Sequence, residues 1–325
     1  MRSDKERQIF PATKSSMRKP FRIAAIGELL WDILPGGPQL GGAPANFASL
    51  AANLPPIDSS VAASQVFLIS RVGNDPLGVR ALDRLRDRHV ISDFISIDPD
   101  HKTGSVHVFD GGLGPVYEIV ENVAWDFIPG NLSLTALAPT LDAVCFGTLA
   151  QRPSVTRHTL RQFVEATSSD CLRVFDVNLR PPYWNVETLT WGCDRATILK
   201  MNEDEASTVV HAIDSNVREK SAIGIVHRLL RRFPMVMVAV TRGASGCLLV
   251  TRETEYDHPG NAVEVADSVG AGDGFTAAMT YAVLHQWPLP ALASFANYWG
   301  GWVATQRGGM PVPDETTRRN SMLAI

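Results

Sequence analysis

The chain has 325 residues, 45% of them hydrophobic and 20% charged, and a formal net charge of -4. That length and balance describe a soluble globular protein with a large core, and the slight acidity gives no general attraction to nucleic acid or anionic lipid. No run approaches the roughly 18 consecutive apolar residues of a membrane span, and the four cysteines (Cys145, Cys171, Cys193, Cys247) show no Cys-x-x-Cys or zinc-type spacing, so a reduced, cytoplasmic protein is expected.

Residues 1–20 mix Arg, Lys, Asp and Ser without the apolar run of a secretory signal and are expected to be a flexible tail. Short β-rich runs follow at 22–27, 66–72, 143–147, 173–177, 197–201, 236–241 and 247–251, several of them apolar throughout, as in a sheet covered on both faces. Helix-like segments at 43–53, 76–89, 155–166, 203–211, 222–232 and 272–286 alternate with them. The expected fold is therefore α/β, a mostly parallel sheet flanked by helices, in one domain over 21–325.

Two segments break the rhythm. Residues 33–42 form a Gly/Pro-rich excursion after the first strand, longer than the two to six residues of a plain βα loop. Residues 103–127 hold strand-like stretches at 105–109 and 117–120 around a Gly-rich turn. Together, over about 32–42 and 103–127, they predict a small β lid, with Phe109, Tyr117 and Trp125 as its apolar residues.

The chemistry is expected at Asp267-Ser268-Val269-Gly270-Ala271-Gly272-Asp273. Phe275, Met279, Ala282, Val283 and Gln286 then recur at helical spacing, so the glycine-rich turn opens onto a helix N-terminus, whose free N–H groups and positive dipole favour an anion. A carboxylate there would repel a resident phosphate, yet it suits a hydroxyl nucleophile that must lose its proton as a phosphoryl group arrives. From the local sequence, helix capping by Asp273 is the alternative.

The run Asp267 to Phe275 resembles the C-terminal signature of the ribokinase-like (PfkB) sugar kinases, Asp-Thr-x-Gly-Ala-Gly-Asp-x-Phe, with Ser268 in place of threonine. The resemblance extends over about 21–313. It implies a three-layer ribokinase-like fold, Asp273 as the base, and an anion hole from the Gly270, Ala271 and Gly272 amides. Gly41-Gly42-Ala43-Pro44-Ala45-Asn46 resembles the N-terminal signature, and Asp32 the family aspartate that bonds sugar hydroxyls; a bare turn is the alternative for the glycine pair.

Arg180, after the strand ending at Val177, is a candidate substrate contact or a surface salt-bridge partner. Asn202 and Glu205 resemble the Asn-x-x-Glu motif near magnesium, with Glu205 acting through water; an exposed first-turn acid is its alternative. Thr241, Gly243 and Gly246 resemble the nucleotide-binding turn, or are a plain hairpin turn. Asn297 and the Gly308-Gly309 segment resemble borders of the adenine and monovalent-cation sites, with Asp267 as a further cation ligand. ATP, Mg2+ and K+ are the cofactors so implied, and the family also allows a homodimer. No Walker-type Gly-x-x-x-x-Gly-Lys is present, and the eight histidines show no metal-ligand pattern.

Neither 33–42 nor 103–127 contains a lysine or arginine, which favours a neutral sugar over a sugar phosphate. Gly27-Glu28, Asp176-Val177-Asn178-Leu179-Arg180 and Ala124-Trp125-Asp126 look most like fructokinase-type members, so fructose is the first expectation. 2-Keto-3-deoxygluconate, with its carboxylate on Arg180 or Arg152, and adenosine-like nucleosides are the alternatives within the family. Outside it stands a non-catalytic sugar- or nucleotide-binding relative. A dinucleotide-dependent oxidoreductase suffers because Gly270-x-Gly272 lies late in the chain without a following βαβ acidic partner.

Overall fold

Strands β1 (Arg22–Ile26), β2 (Leu30–Leu34), β3 (Gly37–Gly41), β4 (Gln65–Gly73), β5 (Ile95–Asp98), β6 (Gly104–Asp110) and β7 (Pro115–Ile119) make up the first part of the chain. The remaining strands are β8 (Ala143–Phe146), β9 (Leu172–Asp176), β10 (Ile198–Asn202), β11 (Met237–Thr241), β12 (Cys247–Thr251) and β13 (Glu255–His258). The computed structural model describes residues 19–57, 62–110, 115–214 and 221–324. Residues 1–18 of the expected tail, and the tip of the lid at 111–114, lie outside the described residues.

Nine strands form one sheet in the order β13-β12-β11-β10-β9-β8-β1-β4-β5, parallel except for β12, which runs antiparallel to both β11 and β13. Alternation within its strands shows why they read as apolar throughout. Ile23 and Ala25 of β1 enter one buried cluster while Ala24 and Ile26 enter the other, and Met237/Ala239 and Val238/Val240 of β11 divide the same way. Each face is covered by helices, giving the three layers expected for a both-sides-buried parallel sheet. Because β1 has β8 on one side and β4 on the other, the winding reverses there, and the carboxyl ends of β1 and β8 open onto the crevice where ligands collect in such sheets.

The lid is a separate four-stranded sheet in the order β3-β2-β6-β7. It begins at Leu30, earlier than the expected 32–33, because Leu29, Leu30 and Trp31 stay buried as the chain leaves β1 for the lid. Trp125 is not on the lid surface. It is fully buried in a short 3-10 turn, Ala124–Phe127, beneath the start of β6, where Gly104 packs against its indole nitrogen. Phe109 is exposed on β6. The side chain of Tyr117 lies outside the described residues. Helix Leu289–Ala304 and strand β13 were not legible in the sequence; the helix is buried at Leu292, Phe295 and Trp299 and packs on helix Ala271–Leu284.

Candidate active site

Gly270 adopts φ +80° and caps helix Ala271–Leu284, so the chain turns sharply before the helix begins. That left-handed conformation and the lack of space both demand glycine: a Cβ on Gly270 would lie 2.5 Å from the Cα of Gly309. The Ala271 N–H bends back to the Ser268 carbonyl (3.3 Å) and the Gly274 N–H to the Gly270 carbonyl (2.8 Å). The first-turn donors left to the open end of the helix are therefore those of Gly272 and Asp273.

Asp273 sits in this first turn, and its Oδ2 accepts a hydrogen bond from Asn46 Nδ2 at 2.7 Å. Asn46 comes from helix Ala43–Ala51, which starts at Gly42 with φ +105°; the two signature motifs, 227 positions apart, thus meet in one hydrogen bond. Asn46 is in turn confined by Gly309, whose added Cβ would lie 2.6 Å from its amide. Burial, followed by repulsion from Asp176, raises the Asp273 pKa to about 6, against the lowering effect of Asn46, Lys200 and Arg180.

Beneath the loop, register pairs Lys200 of β10 with Asp176 of β9, and Lys200 Nζ donates to Asp176 Oδ1 at 3.1 Å with both side chains 7% exposed. Burial opposes the lysine's charge, but Asp176, Glu205 and Asp273 offset it and leave its pKa above the usual lysine value. Thr276 donates to Asp176 Oδ2 at 2.8 Å. The cation lies directly under the glycine turn, since a Cβ on Gly272 would stand 3.0 Å from Lys200 Nζ. Glu28, at the carboxyl end of β1, lines a cavity with Asp273 and Asp176; burial raises its pKa to about 7, and the Ala43 N–H donates to it at the start of the Asn46 helix.

On the lid side Asp32 of β2 is half-buried, packs against Gly41 of β3, and is raised to about pKa 6 by burial, then by Asp267. Arg180 is exposed; its Nη1 donates to the Leu179 carbonyl, and its charge lowers the pKa values of Glu28, Asp32 and Asp273. It faces the acid cluster and forms no salt bridge to a described residue. Asp267 Oδ2 accepts from the Gly308 N–H at 3.0 Å and Oδ1 from Val269, tying the glycine turn to the loop after helix Leu289–Ala304.

A scan against family models finds the pfkB family carbohydrate kinase over residues 38–316. The chain belongs to the pfkB carbohydrate kinase family. It is 29% identical to a sugar kinase of Pyrococcus horikoshii over 90% of this chain and 92% of that protein. It is also 29% identical to the fructokinase of Klebsiella pneumoniae over 91% and 98%. Among solved structures, the Pyrococcus horikoshii sugar kinase in complex with ATP is 27% identical, covers 92% of this chain and 99% of that one, and superposes with a TM-score of 0.72. A Vibrio cholerae fructokinase double mutant, solved with fructose, ADP and potassium ion, shares the fold at TM-score 0.75 and 22% identity over 94% and 100%.

Within this kinase the remaining expected residues fall along the same edge of the sheet. Asn202 ends β10 and caps helix Glu203–Ile213: its Oδ1 accepts from the Glu205 N–H, and Glu205 Oε2 accepts from the Asn202 N–H. Glu205 is buried, 7% exposed, so it is not an exposed first-turn acid; its Oε1 also accepts from Leu179 N–H. Thr241 ends β11, and Gly243 (φ +55°) is exposed in the turn to β12. Gly246 is buried there against Gly260, with no room for a side chain. Asn297 donates to Cys247 Sγ (3.0 Å) and to the Ala293 carbonyl. Arg152, weighed as a carboxylate ligand, is already committed to Asp126 through two 2.8 Å bonds. Lys200 was missed, although it is a lone charge within an otherwise apolar strand, and Glu28 was noted only in the Gly27-Glu28 resemblance, although it is a lone charge between the apolar residues of β1 and Leu29-Leu30-Trp31; those are the signals that could have found them.

Proposed function

We propose that this protein is an ATP-dependent fructokinase in which Asp273 takes the proton of the accepting hydroxyl. The observation that carries the mechanism is the Asn46–Asp273 hydrogen bond at the mouth of a helix N-terminus. It holds a carboxylate, raised toward neutral pH and so strengthened as a base, beside first-turn N–H donors suited to phosphoryl oxygens. Asn46 orients the base. Asp32, with Arg180 across the cleft, presents acceptor oxygens to neighbouring sugar hydroxyls. The buried Lys200 stiffens the floor and adds positive charge under Gly272.

ATP with Mg2+ supplies the transferable phosphoryl group and its charge neutralisation when bound. The turn around Thr241, Gly243 and Gly246, together with Asn297, would receive the nucleotide. Glu205 spends two acceptor positions on backbone N–H groups, so its contact with Mg2+ would run through water, as suits a cation that dehydrates reluctantly. Asp267 and the Gly308 segment would hold a K+ ion. Fructose as acceptor is supported by the absence of lysine and arginine from 33–42 and 103–127 and by relatives named fructokinase.

The test is ADP release with ATP and Mg2+ across a panel of fructose, ribose, 2-keto-3-deoxygluconate, adenosine and fructose 6-phosphate. Fructose should give the highest kcat/KM. Preference for another member replaces fructose as the acceptor, and no sugar-dependent release would favour a non-catalytic binder.

A further inference from the structure

Below the lid lies a third, small buried cluster, separate from the two cores that cover the sheet: Val123, Trp125 and Leu149, with Ile119, Val120 and Tyr183 packed on it. At its centre is Arg152, whose side chain is 7% exposed. Its guanidinium reaches both oxygens of Asp126 at 2.8 Å and donates to the Val120 carbonyl at 2.7 Å. The same group lies between two rings, 4.0 Å from the Trp125 centroid and 4.9 Å from that of Tyr183. Tyr183 in turn donates its hydroxyl to the Ile119 carbonyl at 3.3 Å. Adjacent carbonyls at the end of β7 are thus gripped by two side chains from outside the lid. Tyr183 belongs to the turn that starts at Arg180, since its N–H bonds the Arg180 carbonyl at 2.8 Å.

We propose that Arg152 is a positioning residue for sugar binding, a clip that fixes the lid stem to the Arg180 turn so that the two sides of the sugar site are held in register. The assignment rests on the kinase reading only for its kinetic consequence. Asp32 reaches the site through β2, which pairs with β6, which pairs with β7, whereas Arg180 reaches it from the carboxyl end of β9. Arg152 and Tyr183 join those two routes at the stem, where the Tyr183 hydroxyl also meets the Glu121 carboxylate. A planar, five-donor cation is needed for this, because it must meet a carboxylate with its edge and two aromatic rings with its faces at once.

The experiment compares wild type, Arg152→Met, Arg152→Lys and Tyr183→Leu by hydrogen exchange and by kinetics with fructose. In Arg152→Met, amide exchange should rise at least about tenfold in 118–123 and 179–184 together while β1 and β8 exchange as in wild type. The fructose KM should rise about tenfold or more with kcat and the ATP KM within about twofold. Arg152→Lys should fall between the two, since it restores the charge without the fork. Exchange needs no sugar, so failure of fructose as acceptor leaves that arm intact. Unchanged exchange in both segments, or a uniform rise that includes β1 and β8, would overturn the proposal, as would an unchanged KM with fructose as a substrate. If Arg152→Met does not fold, Tyr183→Leu decides: local loosening at 118–120 and in the Arg180 turn supports the clip, and none refutes it.

Discussion

Replacing Asn46 by leucine keeps the branching and heavy-atom count of the side chain and removes the donor that touches Asp273 Oδ2 at 2.7 Å. Burial and Asp176 already raise the aspartate to about pKa 6, and Asn46 is the first of the groups that hold it down. A hydrogen bond to a charged group contributes about 1.5–3 kcal/mol, or about 1–2 pH units at 1.36 kcal/mol per unit. The acid limb of kcat/KM, which reports the free enzyme's base, should therefore move from near pH 6 to about 7–8 in Asn46→Leu. At pH 7 the wild-type base is about nine-tenths ionised, whereas with a pKa of about 7.5 it would be about one-quarter ionised. Loss of ionised base alone would then cost about fourfold in rate at pH 7 and be recovered at pH 9. Steady-state ADP release from pH 5 to 9 gives the profile. An acid limb that stays where it was, with a loss equal at every pH, would refute the claim that Asn46 tunes the base.

Gly309→Ala would place a methyl 2.6 Å from the same amide, so it should reproduce the shifted acid limb with little loss of stability, as checked by the pH profile and thermal unfolding. Lys200→Met strands the buried Asp176 and should cost about 3–5 kcal/mol in urea unfolding, with part of this recovered in the Lys200→Met/Asp176→Asn double variant. Glu28 is an acid with a raised folded-state pKa, so the folded protein holds its proton more tightly than the unfolded chain. Its effect on stability is nil below the ordinary carboxyl range, grows unfavourable as pH rises toward about 7, and is complete above that. Glu28→Gln should accordingly gain on the order of 3 kcal/mol at pH 8 and nothing at pH 4 in urea titrations at the two pH values.

The parallel sheet was legible because runs such as residues 22–27 and 236–241 are apolar on both faces, a pattern that only two-sided burial requires. Asp273, Asn46 and Asp32 were picked out by resemblance to family motifs; the turns before Asp273 and Asn46 carry positive-φ glycines, Gly270 and Gly42, whereas Asp32 has no such local mark. Lys200 and Asp176 were harder to read: each is a charge inside a buried strand, and only the register of β9 against β10 shows that they neutralise one another. Helix Leu289–Ala304 was hidden by its Tyr, Trp and Gly content, since packing against helix Ala271–Leu284 overrides weak helix propensity. Trp125 was read as a lid residue because it follows strand-like sequence, and nothing local signals that Arg152 and Gly104 enclose it. For Glu205 an exposed first-turn acid stood as the alternative to the magnesium role, because the backbone partner that helps bury it, Leu179, lies 26 residues away.

One substitution bears most directly on the chemistry. Asp273→Asn preserves size and hydrogen-bonding capacity at the helix mouth while removing the only feature a base needs, its negative charge. With ATP, Mg2+ and the best sugar of the panel, turnover should fall by roughly 10²-fold or more while ATP affinity, measured by calorimetry, stays within a few-fold of wild type. Undiminished turnover in a folded Asp273→Asn enzyme would contradict the assignment of the proton to this carboxylate.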